Sequence, residues 1–101
     1  MLRLGRYLES KGEREDAAKY TKAGLKMAAT LFAEPYLSTD EAHHGLLLHS
    51  IYHEPNGWDH KPEAGKVAYG ESSMWGDYHA MELAVYLQRL IDQKPYLTFF
   101  A

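Results

Sequence analysis

The chain has no cysteine, no long apolar run and no excess of positive charge, and each absence excludes a class of protein. Without cysteine there is no disulfide, no thiolate metal ligand and no thiol nucleophile. No apolar stretch approaches the roughly 20 residues that a membrane-spanning helix requires. The 11 Lys and Arg residues are interspersed with 14 Asp and Glu residues, so no basic stripe is available for a nucleic-acid backbone. We therefore expect neither a membrane nor a nucleic acid as a partner.

Length and composition predict one small globular domain. A chain of 101 residues is sufficient for a single domain, and 46% hydrophobic with 25% charged residues is typical of folded proteins. The N-terminal sequence Met-Leu-Arg-Leu-Gly-Arg lacks the apolar segment of a signal peptide, so we expect none in this chain. Absence of cysteine suits both the cytoplasm and the periplasm, and the two compartments stay open.

Three helices are predicted from apolar residues at three- and four-residue spacing. The first covers Leu2 to Ser10, and the second runs from about Glu13 to about Ala33, before Pro35. The third runs from about Gly76 to Asp92 and is apolar around most of its circumference, which indicates packing on more than one side. We predict an all-α fold.

A long irregular segment separates the second and third helices, since residues 34 to 75 are rich in Gly, Pro, Asn, Asp and His. Residues 45 to 52 fit either a short strand or an apolar helical turn. Pro55-Asn56-Gly57 predicts a turn, Pro62 to Gly70 predicts a loop, and Tyr96 to Phe100 predicts an extended tail. Three helices and such a loop are too little to cover their own apolar faces.

Four histidines, His43, His44, His49 and His53, lie within eleven residues. His49 and His53 have the i,i+4 spacing of a helical metal pair. No third histidine or carboxylate follows at a familiar metal-site spacing, and the segment is not predicted to be a regular helix. We interpret them as loop or core histidines and expect neither a metal nor another cofactor.

Three carboxylates, Glu71, Asp77 and Glu82, are candidates for a glycosidase that uses two acids on either side of the scissile bond. Asp77 and Glu82 are five residues apart, so they point to different sides of a helix. In the alternative interpretation Asp77 caps the third helix, and Glu71 accepts backbone N–H groups within the loop. We prefer these structural roles and expect no complete catalytic site, while a small independent enzyme using Glu71 and Asp77 is the competing hypothesis.

Aromatic residues are concentrated in the loop and at its junction with the third helix. Sugar rings stack their C–H faces on aromatic side chains, and tyrosine adds a hydroxyl that bonds to sugar oxygens. Lys66, in Gly65-Lys66-Val67, would suit a uronic carboxylate or a sulfate. The alternatives are that the rings pack the loop onto the helices and that the lysine is solvated. The candidate binding residues are Tyr52, Lys66, Trp75 and Tyr78, with Trp58 and Tyr69 as further loop aromatics.

Several of these residues form an ordered series: Leu48-His49-Ser50-Ile51-Tyr52, Gly65-Lys66-Val67, Glu71, Trp75-Gly76-Asp77-Tyr78 and Glu82-Leu83. From about residue 45 to 90 the series is similar to the C-terminal part of the unsaturated glucuronyl hydrolases, family 88 of the glycoside hydrolases. The earlier helices fit a helical scaffold without a specific signature. The resemblance implies that residues 1–101 are a single C-terminal fragment of an (α/α)6 barrel, a partial barrel with about three helices and a long loop.

The activity implied by the resemblance removes a Δ4,5-unsaturated uronic acid from oligosaccharides by adding water across its vinyl-ether double bond. An aspartate acts as general acid and base. By resemblance, Tyr52 lines the substrate pocket, Lys66 approaches the sugar downstream of the cleaved bond, and Glu71 and Asp77 hold the Lys66 loop.

The catalytic aspartates of the family lie on earlier helices, so the resemblance implies a chain that is inactive alone. The implied ligand is an unsaturated uronic-acid oligosaccharide. A complementing N-terminal chain, or self-association, would cover the bare helix faces. The alternative is a standalone helical module that binds carbohydrate or protein without catalysis.

Overall fold

The computed structural model describes residues 1–59, 61 and 72–95. These residues form three α-helices, α1 (Leu2–Ser10), α2 (Arg14–Leu31) and α3 (Met74–Ile91), one 3₁₀ helix (Glu54–Asn56) and no strand. The predicted all-α class is confirmed for this part of the chain, and the predicted helix ends differ from the observed ones by at most two residues. The predicted loop at Pro62 to Gly70 and the predicted tail at Tyr96 to Phe100 lie outside the described residues.

The chain is divided into two compact units. The first contains residues 1–30 and 83–95, and the second contains the described residues between 31 and 82. Helix α3 contributes its C-terminal part to the first unit and its N-terminal part to the second.

The first unit packs α1 against α2 through small residues. A Cβ atom added at Gly24 would lie 2.8 Å from Cγ of Leu2, and one added at Gly5 would lie 3.1 Å from the carbonyl oxygen of Ala17. Leu2 and Ala17 are buried at this contact. Because the two helices approach this closely, larger side chains do not fit at Gly5 and Gly24. Helices α1 and α2 therefore bury only a few residues.

Helices α1 and α3 end in the same hydrogen-bond motif. After α1, the Gly12 N–H donates to the Glu9 carbonyl over 3.0 Å, and the next N–H reaches back five residues. After α3, the Gln93 N–H donates to the Leu90 carbonyl over 3.1 Å, again followed by a bond that spans five residues. This is the Schellman arrangement, which places one residue in the left-handed region. Gly12 has φ 83° and Gln93 has φ 55°, so only the first helix has the residue that this conformation favours.

We expect Gly12→Ala to lower the free energy of unfolding by about 1 kcal/mol and Gln93→Gly to raise it by about 0.5 kcal/mol. No atom lies within 4 Å of a Cβ added at Gly12, so backbone conformation alone produces the loss. Urea unfolding followed by far-ultraviolet circular dichroism measures both. Changes of the same sign at the two positions would contradict this account of the helix ends.

Backbone hydrogen bonds hold the irregular segment, but they form neither the short strand nor the helical turn that the sequence allows for residues 45 to 52. Residues 45 to 52 contain no strand and no helical turn; one isolated antiparallel bridge joins Leu37 to Leu47. The Ser38 N–H donates to the Leu46 carbonyl over 2.8 Å, and the Leu48 N–H donates to the Tyr36 carbonyl over 2.7 Å. The predicted turn at residues 55 to 57 is confirmed as the 3₁₀ helix and the left-handed Gly57 that follows it.

Many large hydrophobic side chains are exposed in the described residues. Five hydrophobic residues are buried, and three of them are alanines, whereas sixteen large hydrophobic side chains are exposed. The exposed set includes Leu4 and Tyr7 on α1, Leu25 and Met27 on α2, and Met74 and Met81 on α3. The predicted uncovered helix faces are therefore present. None of the helices described here is both long and apolar enough to span a membrane.

Candidate functional site

Four rings in the second unit lie in contact with one another, and we call Tyr52, His53, Trp58 and Trp75 the aromatic cluster. The Tyr52 ring centroid lies 4.9 Å from that of Trp75 and 5.4 Å from that of Trp58, with the planes tilted by 33° and 30°. The His53 and Trp58 rings are 5.1 Å apart at 39°. The Tyr52, Trp58 and Trp75 side chains are 55%, 60% and 46% exposed, so the cluster presents ring surface to the solvent.

The segment from Tyr52 to Asp59 is closed by the carboxylate of Asp59. Its oxygens accept the backbone N–H groups of Tyr52 and His53, the second over 2.8 Å. Between these ends the 3₁₀ helix reverses the chain, and Trp58 returns to Tyr52. The Tyr52–Trp58 contact is therefore built by a local turn whose two ends are joined by hydrogen bonds.

Asp77 fixes a second part of the loop to α3. Its Oδ1 accepts the Leu47 N–H over 2.8 Å, and its Oδ2 accepts the Leu46 N–H over 3.0 Å. The predicted capping role of Asp77 is wrong, because α3 begins earlier and the Ser73 hydroxyl accepts the Gly76 N–H over 3.0 Å. Asp77 lies in the first turn, and its carboxylate contacts the segment at residues 46 and 47.

A second contact holds the same segment at the start of α3. The Nε2 atom of His43 and the Oγ atom of Ser72 are 2.9 Å apart, and Gly45 lies directly against Ser72. We call His43, Gly45, Ser72 and Asp77 the loop clamp. It fixes residues 43–47 beside the first turn of α3, which carries Trp75.

The structure brings together only some of the predicted site residues. Tyr52 and Trp75 are in ring contact. Tyr78 follows Trp75 by three residues on α3, is 66% exposed, and contacts the His79 ring edge-on at 5.2 Å. Lys66 and Glu71 lie outside the described residues, so their expected roles stay predictions. Sequence reasoning gave no binding role to His53, although the Pro-Asn-Gly turn four residues ahead of Asp59 was a signal that this segment folds back on itself.

No protein-family model, no curated protein and no solved structure matches this chain. The contacts described above and the sequence resemblance are therefore the features of this chain that bear on its function.

The histidines do not form a metal site within residues 1–59, 61 and 72–95, where no group of three or more His, Cys, Asp or Glu is placed to hold an ion. The i,i+4 spacing of His49 and His53 gives no shared helical face, because their segment is not a regular helix. His49 has φ 61°, and its ring lies edge-on to Tyr36 at 6.0 Å. His79 contacts the Glu82 carboxylate over 3.1 Å.

The carboxylates near the aromatic cluster have structural partners. Asp59 and Asp77 each accept two neighbouring backbone N–H groups, an arrangement that holds a loop in place. Ring faces fixed by such a frame are suited to stacking on a flat, partly apolar ligand. The described geometry is thus that of exposed ring faces on a loop held in place by hydrogen bonds.

Proposed function

We propose that this chain is the carbohydrate-binding C-terminal portion of an unsaturated glucuronyl hydrolase-like enzyme and contributes to a partial (α/α)6 barrel. The observation that supports this most directly is the position of Tyr52. The resemblance assigns Tyr52 to the substrate pocket, and its ring contacts two exposed tryptophan rings, Trp58 and Trp75. The proposed ligand is an unsaturated uronic-acid oligosaccharide, stacked on the aromatic cluster.

The exposed rings suggest a modest affinity for a single disaccharide. An aromatic side chain has about 150–250 Å² of surface, and burial of apolar surface contributes about 25 cal/mol per Å². A sugar that covers one face of a half-exposed ring therefore gains about 1–2 kcal/mol before entropy is counted. Two such rings, at about 2–4 kcal/mol together, correspond to dissociation constants of about 1–40 mM, which sets the concentration range for a titration.

The chemistry is assigned to residues outside this chain. In the proposal, the catalytic aspartates belong to the missing part of the barrel, and this chain positions the sugar next to them. Asp77 is not proposed as an acid, since both of its oxygens accept backbone N–H groups. Hydrolysis by the chain alone is not expected.

A partner for the apolar helix faces is part of the same proposal. Sixteen large hydrophobic side chains are exposed among the described residues, and where such side chains form a contiguous patch they typically mark a protein–protein contact. A complementing N-terminal chain, or a second copy, would bury them. The proposal therefore includes self-association of the isolated chain or assembly with the product of an upstream reading frame.

The test is hydrolysis of an unsaturated glucuronyl disaccharide, followed as loss of the ultraviolet absorbance of its double bond. We expect no loss with the chain alone and loss when the upstream product is added. Trp58→Ala should weaken disaccharide binding about five- to tenfold, because the largest exposed face of the cluster is removed. Tyr7→Ala is the matched control, an exposed aromatic on α1 in the other unit.

Two results would contradict the proposal. Hydrolysis by the chain alone would show that the chain contains a catalytic site, with Glu71 and Asp77 as the candidate catalytic residues. Equal binding by wild type, Trp58→Ala and Tyr7→Ala would remove the aromatic cluster from the ligand site.

The alternative is a standalone carbohydrate- or protein-binding module without catalysis. It is favoured by the fact that all four members of the aromatic cluster belong to one compact unit. Analytical centrifugation separates the two proposals. A compact monomer that binds the disaccharide and no hydrophobic dye supports the module, and a self-associating chain that binds the dye supports the fragment.

A further inference from the structure

Three members of the aromatic cluster carry polar ring nitrogens: the two tryptophans, as N–H donors only, and His53, of whose two nitrogens one is already used. The Asn56 N–H is shared between Nδ1 and the backbone carbonyl oxygen of His53, each over 3.2 Å, at the 3₁₀ helix. An acceptor nitrogen must keep its lone pair, so the neutral ring carries its hydrogen on Nε2. The turn therefore selects the tautomer in which Nε2 is a donor.

The orientation of this donor is fixed from several directions. The backbone N–H of His53 donates to Asp59 over 2.8 Å, and the ring packs against Trp58 at 5.1 Å. The two nitrogens lie on opposite sides of an imidazole, so Nε2–H is directed away from the turn. The side chain is exposed, and no acceptor for Nε2 is found among the residues that the structure describes.

We propose that His53 is a ligand-binding residue, whose Nε2–H donates a hydrogen bond to an oxygen of the sugar stacked on Trp58. This inference rests on the proposed carbohydrate-binding function and adds a polar contact to it. Stacking on a flat ring holds a sugar but discriminates poorly between its rotations about the stacking axis. One donor fixed beside the ring selects the orientation that presents a hydroxyl or carboxylate oxygen to it, and thus determines which end of the oligosaccharide faces the active centre.

Two substitutions separate this role from the role of His53 in the turn. An asparagine side chain reaches as far as Nδ1, so His53→Asn retains an acceptor for the Asn56 N–H and removes the distant donor. A glutamine amide reaches as far as Nε2, so His53→Gln retains a distant donor and loses the side-chain acceptor, while the backbone carbonyl of residue 53 still accepts the Asn56 N–H. The affinity of each variant for an unsaturated glucuronyl disaccharide is measured by titration with NMR detection, and near-ultraviolet circular dichroism of the tryptophans monitors the fold.

We expect His53→Asn to bind five- to tenfold more weakly with an unchanged tryptophan spectrum, and His53→Gln to bind within threefold of the wild type. The reverse order would show that the turn alone matters and would overturn the inference, as would equal affinity for both variants and the wild type. A wild-type chain that fails to bind the disaccharide would overturn the proposed function itself. A wild type that binds, with His53→Asn binding equally well, would overturn only the role of His53.

Discussion

Gly45→Ala is expected to lower the free energy of unfolding by about 2–3 kcal/mol, the largest loss expected from an added methyl group at any glycine that the structure describes. A Cβ atom at this position would overlap both Oγ and Cβ of Ser72 and would lie 3.0 Å from Nε2 of His43. Ser72 lies two residues before the first residue of α3, and its side chain is too short to move aside without a shift of its backbone. Denaturant unfolding followed by tryptophan fluorescence measures the change, since Trp75 lies next to the loop clamp.

A compensating substitution identifies the cause of this loss. Ser72→Gly removes the two atoms that the new methyl group would overlap, at the cost of the hydrogen bond to His43. We expect the double variant Gly45→Ala with Ser72→Gly to be more stable than Gly45→Ala alone by about 1 kcal/mol. If Gly45→Ala is as stable as the wild type, or the second substitution lowers stability further, the close approach of residues 45 and 72 is incorrect.

Asp77→Ala is expected to lower the free energy of unfolding by about 2 kcal/mol. Its carboxylate accepts the N–H groups of Leu46 and Leu47, and hydrogen bonds to a charged group contribute about 1.5–3 kcal/mol when they are partly buried. In the variant the exposed Leu46 N–H forms a hydrogen bond with water instead, which limits the loss of stability. The Leu47 N–H is partly buried and is hydrated only incompletely, so part of the loss remains. Asp77→Asn keeps one acceptor oxygen and should lose about half as much.

Asp16→Ala is the matched control, because Asp16 is also an acid in the first turn of a helix. Its substitution removes a favourable interaction with the helix dipole and should cost about 0.5 kcal/mol. A loss at Asp77 no larger than that at Asp16 would show that the loop contact contributes nothing. A catalytic Asp77 would behave differently again, since its removal would abolish hydrolysis in the complemented enzyme while leaving stability unchanged.

The loop clamp also connects stability with the proposed binding. It holds residues 43–47 at the start of α3, and Trp75 is the second residue of that helix. Tyr52 reaches Trp75 from the loop side. Loosening the clamp should therefore disturb the Tyr52–Trp75 contact more than the Tyr52–Trp58 contact, which depends on the separate turn closed by Asp59.

The role of Asp77 shows where sequence reasoning reached its limit. The same acid can cap a helix or contact a distant loop, and the choice depends on which residue starts the helix. Because α3 starts at Met74, Ser73 is the capping residue. Asp77 instead contacts residues 46 and 47, about thirty positions earlier in the chain. A shift of two residues in a predicted helix start is ordinary, and here it changed the role of the acid.

The aromatic cluster shows the same dependence on distant contacts. Composition was sufficient to identify Tyr52 and Trp75 as candidate binding residues, because exposed aromatics in a loop are suited to sugars. Their contact joins residues 23 positions apart in sequence, and irregular backbone has no periodicity from which such a contact is predicted. The role proposed for His53 depends on a further contact: the Asn56 N–H reaches its Nδ1 atom, which leaves Nε2 as the donor.

The sequence by itself determined the three helices, their ends to within two residues, and the presence of uncovered apolar side chains, since each of these follows from local spacing and composition. Gly12, for example, marks the end of α1 without reference to any distant residue. Only the tertiary structure decided which side chains bond to the irregular segment and which rings meet. Those contacts satisfy backbone N–H groups that no helix or strand satisfies, and their partners are chosen by the packing of the whole unit.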